Sequence, residues 1–91
     1  MQVKVFASFR EIVLDKSVEV PFRENMTVRD LIDAIILSHP LFAEEIYTEN
    51  RELKPHVQIF INGKSIRHAM GLETKFGPED EIAMFPPVAG G

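Results

Sequence analysis

A chain of 91 residues is one domain's worth, enough for a single modest core and too little for a roomy self-contained active-site cleft, so a carrier, adaptor or subunit role is favoured. Apolar residues at 45% and charged residues at 26% disfavour disordered, collagen-like and coiled-coil classes, and the absence of cysteine excludes a disulfide framework, a cysteine zinc site and a thiol nucleophile. The net charge of −4, with no clustered basic run, argues against nucleic-acid binding.

Residues 2–9 alternate, with Val3, Val5, Ala7 and Phe9 on one parity and Lys4, Phe6 and Ser8 on the other, the pattern of a strand. Residues 10–16 form a connection, and residues 17–22 alternate again, with Val18, Val20 and Phe22 against Ser17, Glu19 and Pro21. Pro21 has no N–H to give a ladder, which predicts an edge strand. Thr27 then opens a helix, its hydroxyl placed to cap the first turn and Asp30 placed to complete a capping box. Met26 is set to staple onto Leu31 across that cap. Val28, Leu31, Ile32 and Ile35 recur at helical spacing, and the helix is expected to end near Ser38, before Pro40.

A short second helix is expected over residues 41–47, then a polar loop over 48–56. Residues 57–61 read as a strand, followed by Asn62-Gly63, a strong hairpin-turn signal, and a brief return strand over 65–67. Residues 68–75 read as irregular, 76–80 as a turn and 81–85 as the last strand. The order is β, β, α, short α, β, short β, β. It predicts an α+β fold with one mixed sheet and a single long helix over one face. This is the element order of the ubiquitin-like β-grasp, with residues 1–85 as the domain and 86–91 as an extended tail.

Strand parity assigns the uncovered face. Val3, Val5, Val57, Ile59, Ile61, Ile82 and Met84 point to the core, so Phe6, Phe60 and Phe85 point away from it among polar neighbours. Three outward rings on three strands predict one apolar docking patch, with Lys4 and Lys64 as rim charges.

The chain closes on Pro86, Pro87, Val88, Ala89, Gly90 and Gly91. The prolines hold an extended path, the small apolar pair suits a narrow channel, and side-chain-free glycines let a partner approach the terminal carboxylate. That carboxylate is inert until activated, and the chain has no Walker-type phosphate loop, so a separate enzyme is expected to adenylate it with ATP.

Three stretches carry a family resemblance. They are Val3-Lys4-Val5-Phe6-Ala7-Ser8-Phe9-Arg10-Glu11, Gly77-Pro78-Glu79-Asp80-Glu81-Ile82-Ala83-Met84-Phe85, and the tail itself. They resemble the small subunit of molybdopterin synthase, the MoaD family of ubiquitin-like sulfur carriers, with the match weakest over residues 41–55. The resemblance implies that an E1-like enzyme of the MoeB type adenylates Gly91, that sulfur then converts it to a thiocarboxylate, and that the tail enters the large synthase subunit. There it donates sulfur for the molybdopterin dithiolene. The active site is implied to lie in the large subunit, the small one being non-catalytic and holding no cofactor. Phe6 and Phe85 match that family's docking face, whereas Phe60 rests on parity alone. Archaeal ubiquitin-like modifiers share nearly the whole pattern, with Gly91 then passed to lysines of target proteins. Thiamine-pathway carriers of the same fold share the Gly-Gly end but usually lack the paired prolines. A scaffold that uses only the sheet surface would need no free terminus.

The remaining polar residues carry weaker signals. His39, His56 and His68 lack metal-ligand spacing, and Glu44, Glu45 and Glu49 read as a solvated face. Glu79, Asp80 and Glu81 read more plainly as an acidic turn than as a contact for a basic activating enzyme. No apolar run exceeds four residues and the first six residues contain no leader-like core, so a cytoplasmic protein without a membrane partner is expected.

Overall fold

Among the described residues the alternating segments assemble into one sheet of five strands: β1 (Gln2–Val5), β2 (Ser17–Glu19), β3 (Gln58–Ile61), β4 (Lys64–Ser65) and β5 (Ile82–Phe85). The computed structural model describes residues 1–87. Strand order is β2-β1-β5-β3-β4, with β1 and β5 parallel at the centre and every other pair antiparallel. Val3 lies opposite Ile82 and Val5 opposite Met84 across the parallel pair, while Ile59 lies opposite Met84 across the antiparallel one. All five side chains are buried on one face. β2 is an edge strand, as Pro21 requires.

Among the described residues three α-helices accompany the sheet: α1 (Ser8–Val13), α2 (Val28–Ser38) and α3 (Phe42–Ile46). The expected long helix is α2. Thr27 caps it as the sequence predicts: the Asp30 N–H donates to Thr27 Oγ1 at 3.2 Å and the Thr27 N–H donates to Asp30 Oδ2 at 3.1 Å. The bond from the Thr27 backbone holds the Asp30 carboxyl below its ordinary value. Val28, Leu31, Ile32 and Ile35 of α2 are buried with the sheet residues, and Met26 joins them. α3 adds Phe42 and Ile46 to the same core.

α1 stands where the alternation predicts the end of a strand and a connection, and it adds a second short helix to the expected long one and α3. β1 ends at Val5 rather than running to Phe9, because the chain turns at Ala7, whose φ is 51°. Phe9 is buried as parity demanded, but it reaches the core from a helical turn in company with Val13, four residues on. Ala7, placed inward by parity, is exposed. The return strand also stops early, at Ser65, and two 3-10 turns, Ile66–His68 and Gly71–Glu73, follow it. Arg67 lies in the first of these. Its Nη2 donates to the carbonyls of Lys54, Pro55 and Val57 at 2.8–3.0 Å, so it clamps the loop that enters β3.

Polar residues fasten α2 to the loop after α3. Tyr47 Oη donates to Asp33 at 3.0 Å, and Arg51 Nη2 reaches both Asp33 carboxylate oxygens at 2.9 and 3.1 Å. The Arg51 guanidinium also lies over the Tyr47 ring, 4.9 Å from its centroid. Burial first, and the Asp33 bond second, push the Tyr47 hydroxyl well above its ordinary value.

Candidate docking face

On the sheet face away from the core, the register brings the predicted aromatic residues together. Phe85 lies opposite Gln58 on β3, which makes Phe60 its diagonal neighbour, and Phe60 lies opposite Ala83. On the other flank Lys4 of β1 also lies opposite Ala83, and the Phe6 N–H continues the ladder onto the Met84 carbonyl at 3.2 Å. Ala83 is small, so the larger side chains close over it. The Phe6 and Phe85 rings stack with centroids 4.3 Å apart, and Phe60 meets Phe85 edge-on at 5.7 Å. All three rings are half-buried. Together with Lys4 and Ala83 they line a shallow recess of about 310 Å³.

Arg10, which the sequence did not mark as a site residue, extends this surface. Its Nε donates to the Val5 carbonyl at 2.8 Å, and that bond parks the guanidinium 4.7 Å from the Phe6 centroid. The contact is a cation–π stack that puts a positive charge at the rim of the aromatic patch. Only the helical turn of α1 gives Arg10 this position. Its signal was the apolar spacing of Phe9, Ile12 and Val13, which is helical and was masked by strand parity.

The acidic turn before β5 is structural at its centre. Asp80 accepts from the Gly77 N–H at 2.7 Å and from Asn62 Nδ2 at 2.9 Å, and these two bonds, the backbone one first, hold its carboxyl below the ordinary range. The Glu81 N–H in turn donates to Asn62 Oδ1 at 2.9 Å. The hairpin turn at Asn62 and Gly63, with φ of 51° and 83°, is thereby latched to the start of β5. Lys64, a predicted rim charge, is exposed on β4.

β5 delivers the chain directly from Phe85 to the tail. Pro86 is buried and Pro87 is exposed. Val88, Ala89, Gly90 and Gly91, the other predicted tail residues, lie outside the described residues. Among the described residues no three His, Asp or Glu side chains cluster as a metal site would need, and no helix is long and apolar enough to cross a membrane.

Comparison with known proteins places this geometry. The profile of the ThiS family matches residues 3–91. Small archaeal modifier protein 1 of Haloferax volcanii is 35% identical over 91 residues, all of both chains, and its crystal structure superposes with a TM-score of 0.87 over 100% of this chain and 98% of that one. A protein of Archaeoglobus fulgidus, provisionally named a sulfur carrier protein, is 40% identical over 75% of this chain and 77% of its own. A Pyrococcus furiosus structure, provisionally described as molybdopterin converting factor subunit 1, is 32% identical with a TM-score of 0.73, covering 96% of this chain and 95% of that one. The Amycolatopsis orientalis BexX/CysO complex contains a chain 26% identical with a TM-score of 0.84, covering 99% of this chain and 98% of that one. With a β-grasp sheet, an aromatic outer face and a family match that runs through the final glycines, this chain belongs to the ThiS/MoaD family of ubiquitin-like sulfur carriers.

Proposed function

We propose that the chain is a sulfur carrier for molybdopterin synthase, with Gly91 as its acyl-carrying end. The observation that carries the reading is the continuity of Phe85 with the tail: the residue at the centre of the aromatic patch is the last residue of β5, so a partner that grips the patch also receives residues 86–91. Residues 1–85 are the docking body. Gly91, Gly90, Ala89, Val88 and Pro87 form the segment that enters the partner, with Pro86 holding its root against the body.

The chemistry belongs to partners. A carboxylate oxygen of Gly91 attacks the α-phosphorus of ATP on an E1-like enzyme of the MoeB type, and pyrophosphate leaves. Hydrosulfide then attacks the acyl carbon, AMP leaves, a proton is lost, and Gly91 carries a thiocarboxylate. In the large subunit of molybdopterin synthase that sulfur is transferred to build the dithiolene. The chain itself binds no cofactor, and the setting is cytoplasmic, where ATP is supplied.

A second reading shares the first step and differs in the nucleophile. A neutral lysine Nζ of a target protein attacks the adenylated acyl carbon, AMP and a proton leave, and an isopeptide bond forms. Full-length similarity to the archaeal modifier supports it.

The test is a side-by-side assay of molybdopterin formation and protein conjugation, using the large subunit and activating enzyme from the same source, with wild type and Pro87→Gly. A closed channel needs a stiff, aligned tail, so Pro87→Gly should cut synthase turnover while leaving adenylation unchanged. Conjugates in quantity with no molybdopterin from the wild-type chain would replace the synthase reading with the modifier reading.

A further inference from the structure

The six-residue helix α1 is bracketed by two residues whose backbone is left-handed. Ala7 precedes it with φ of 51° and ψ of −130°, and Leu14 closes it with φ of 61° and ψ of 32°. A residue with a Cβ is disfavoured in both conformations, and glycine would adopt either without steric cost. Leu14 carries a second unfavourable feature: it is 85% exposed. A single exposed leucine is unremarkable in a folded protein. A left-handed residue commonly closes a helix, but that position usually belongs to glycine, so an exposed leucine held there at positive φ is a costly choice that asks for a reason.

Its position adds to the case. The Leu14 N–H donates to the Arg10 carbonyl at 2.8 Å, so Leu14 sits one turn beyond Arg10. Arg10 covers Phe6, and Phe6 stacks on Phe85. Residues four apart lie on one side of a helix, so Leu14 flanks the Arg10 end of the strip formed by Phe60, Phe85 and Phe6.

We infer that Leu14 is a contact residue for the enzyme that activates the terminal carboxylate, inserting into an apolar pocket beside the one that receives the aromatic patch. The inference rests on the docking reading above. The occupant follows from the chemistry. Both fates of Gly91 begin with adenylation, and β5 ends at Phe85, five residues before Gly90, so the activating enzyme that reaches Gly91 works beside this side of the molecule whatever acceptor comes later. Lys4 shares its recess with Glu81, whereas Arg10, at the Leu14 end of the strip, calls for a carboxylate on that enzyme beside its apolar pocket.

The experiment is ATP–pyrophosphate exchange by the E1-like enzyme from the same source, with the full chain titrated as substrate and thermal unfolding recorded for each variant. Leu14→Gly should raise KM about tenfold, the cost of losing one buried leucine contact, with kcat unchanged. Its unfolding midpoint should rise by a few degrees, because the backbone strain is relieved. Weaker binding by a more stable protein cannot be ascribed to unfolding. Leu14→Asn, which tolerates the left-handed backbone but is polar, should raise KM similarly. Ala7→Gly relieves strain at the other end of α1 and removes only a methyl group, so its KM should stay at the wild-type value. If Ala7→Gly raises KM as much as Leu14→Gly, loosening of α1 is responsible and the inference is overturned. If Leu14→Gly leaves KM unchanged while Phe6→Asp raises it, Leu14 is no contact and the docking reading survives alone. If neither substitution moves KM, the docking reading falls and takes this inference with it.

Discussion

Phe6 and Phe85 stack with only 6° between their ring planes, although they are 79 positions apart in the chain. The contact exists because β1 and β5 are parallel neighbours at the centre of the sheet, so the first and last strands present their outward residues side by side. A double-mutant cycle with Phe6→Ala and Phe85→Ala should give a coupling of about 0.5–1.5 kcal/mol in stability. Denaturant unfolding of the four proteins measures it, and a coupling near zero would mean the rings do not support one another in solution.

The same patch separates docking from folding. Phe60→Asp should weaken partner binding by about 2 kcal/mol or more, as loss of an aromatic anchor does. Its half-buried position lets the new carboxylate reach water, so the domain should stay folded. Ile59→Asp, one residue away and buried on the other face, places an unpaired charge in the core and should abolish folding. Circular dichroism with a binding titration distinguishes the two, and equal loss of structure would invert the strand parity assigned here.

Acid should destabilise the domain through Asp30 and Asp80. Both carboxyls are held below their ordinary value of 3.8 in the folded chain. A depressed folded-state value means the stabilisation is present above the unfolded-state value and is lost as pH falls through the folded one. Stability should thus be level above about pH 5 and decline below about pH 4. Asp30→Asn and Asp80→Asn together should flatten that decline, because each amide keeps an oxygen acceptor without titrating. Unfolding midpoints across the acid range provide the check, and an unchanged slope in the double variant would assign the acid sensitivity to other carboxylates.

Asn62 serves as turn residue and latch at once. Asn62→Ala removes bonds to Asp80 and to the Glu81 N–H and puts a less tolerant residue at positive φ. The expected loss is about 1–3 kcal/mol, read as a lower denaturant midpoint. Asn62→Asp should be worse than the isosteric change implies, since it sets a carboxylate against Asp80. A neutral Asn62→Ala would show that the latch contributes nothing.

Several features of this molecule are legible along the chain and several are not. The capping box at Thr27 and Asp30, the span of α2, the turn at Asn62-Gly63 and the edge position of β2 all follow from local chemistry that neighbouring residues share. The three outward phenylalanines follow from period-two alternation, which needs no knowledge of strand order. The turn at Ala7 was hidden because Phe9 satisfies strand parity and helical spacing equally, and only the backbone break at Ala7 decides between them. Arg10 went unmarked for the same reason. The Asp33, Tyr47 and Arg51 clasp and the Arg67 clamp join residues that no local pattern relates, so packing alone reveals them.

The central claim is that the Gly91 carboxyl carries the activated acyl group. Intact mass spectrometry of the full chain, after incubation with ATP, the E1-like enzyme and a sulfur source, tests it directly. The wild-type chain should gain an oxygen-to-sulfur mass shift that maps to its terminal residue. A chain lacking Gly91, or carrying one added residue after it, should fold with the same unfolding midpoint and gain no such shift. Sulfur appearing on the shortened or extended chain, or failing to appear on the wild type while adenylation proceeds, would contradict the account.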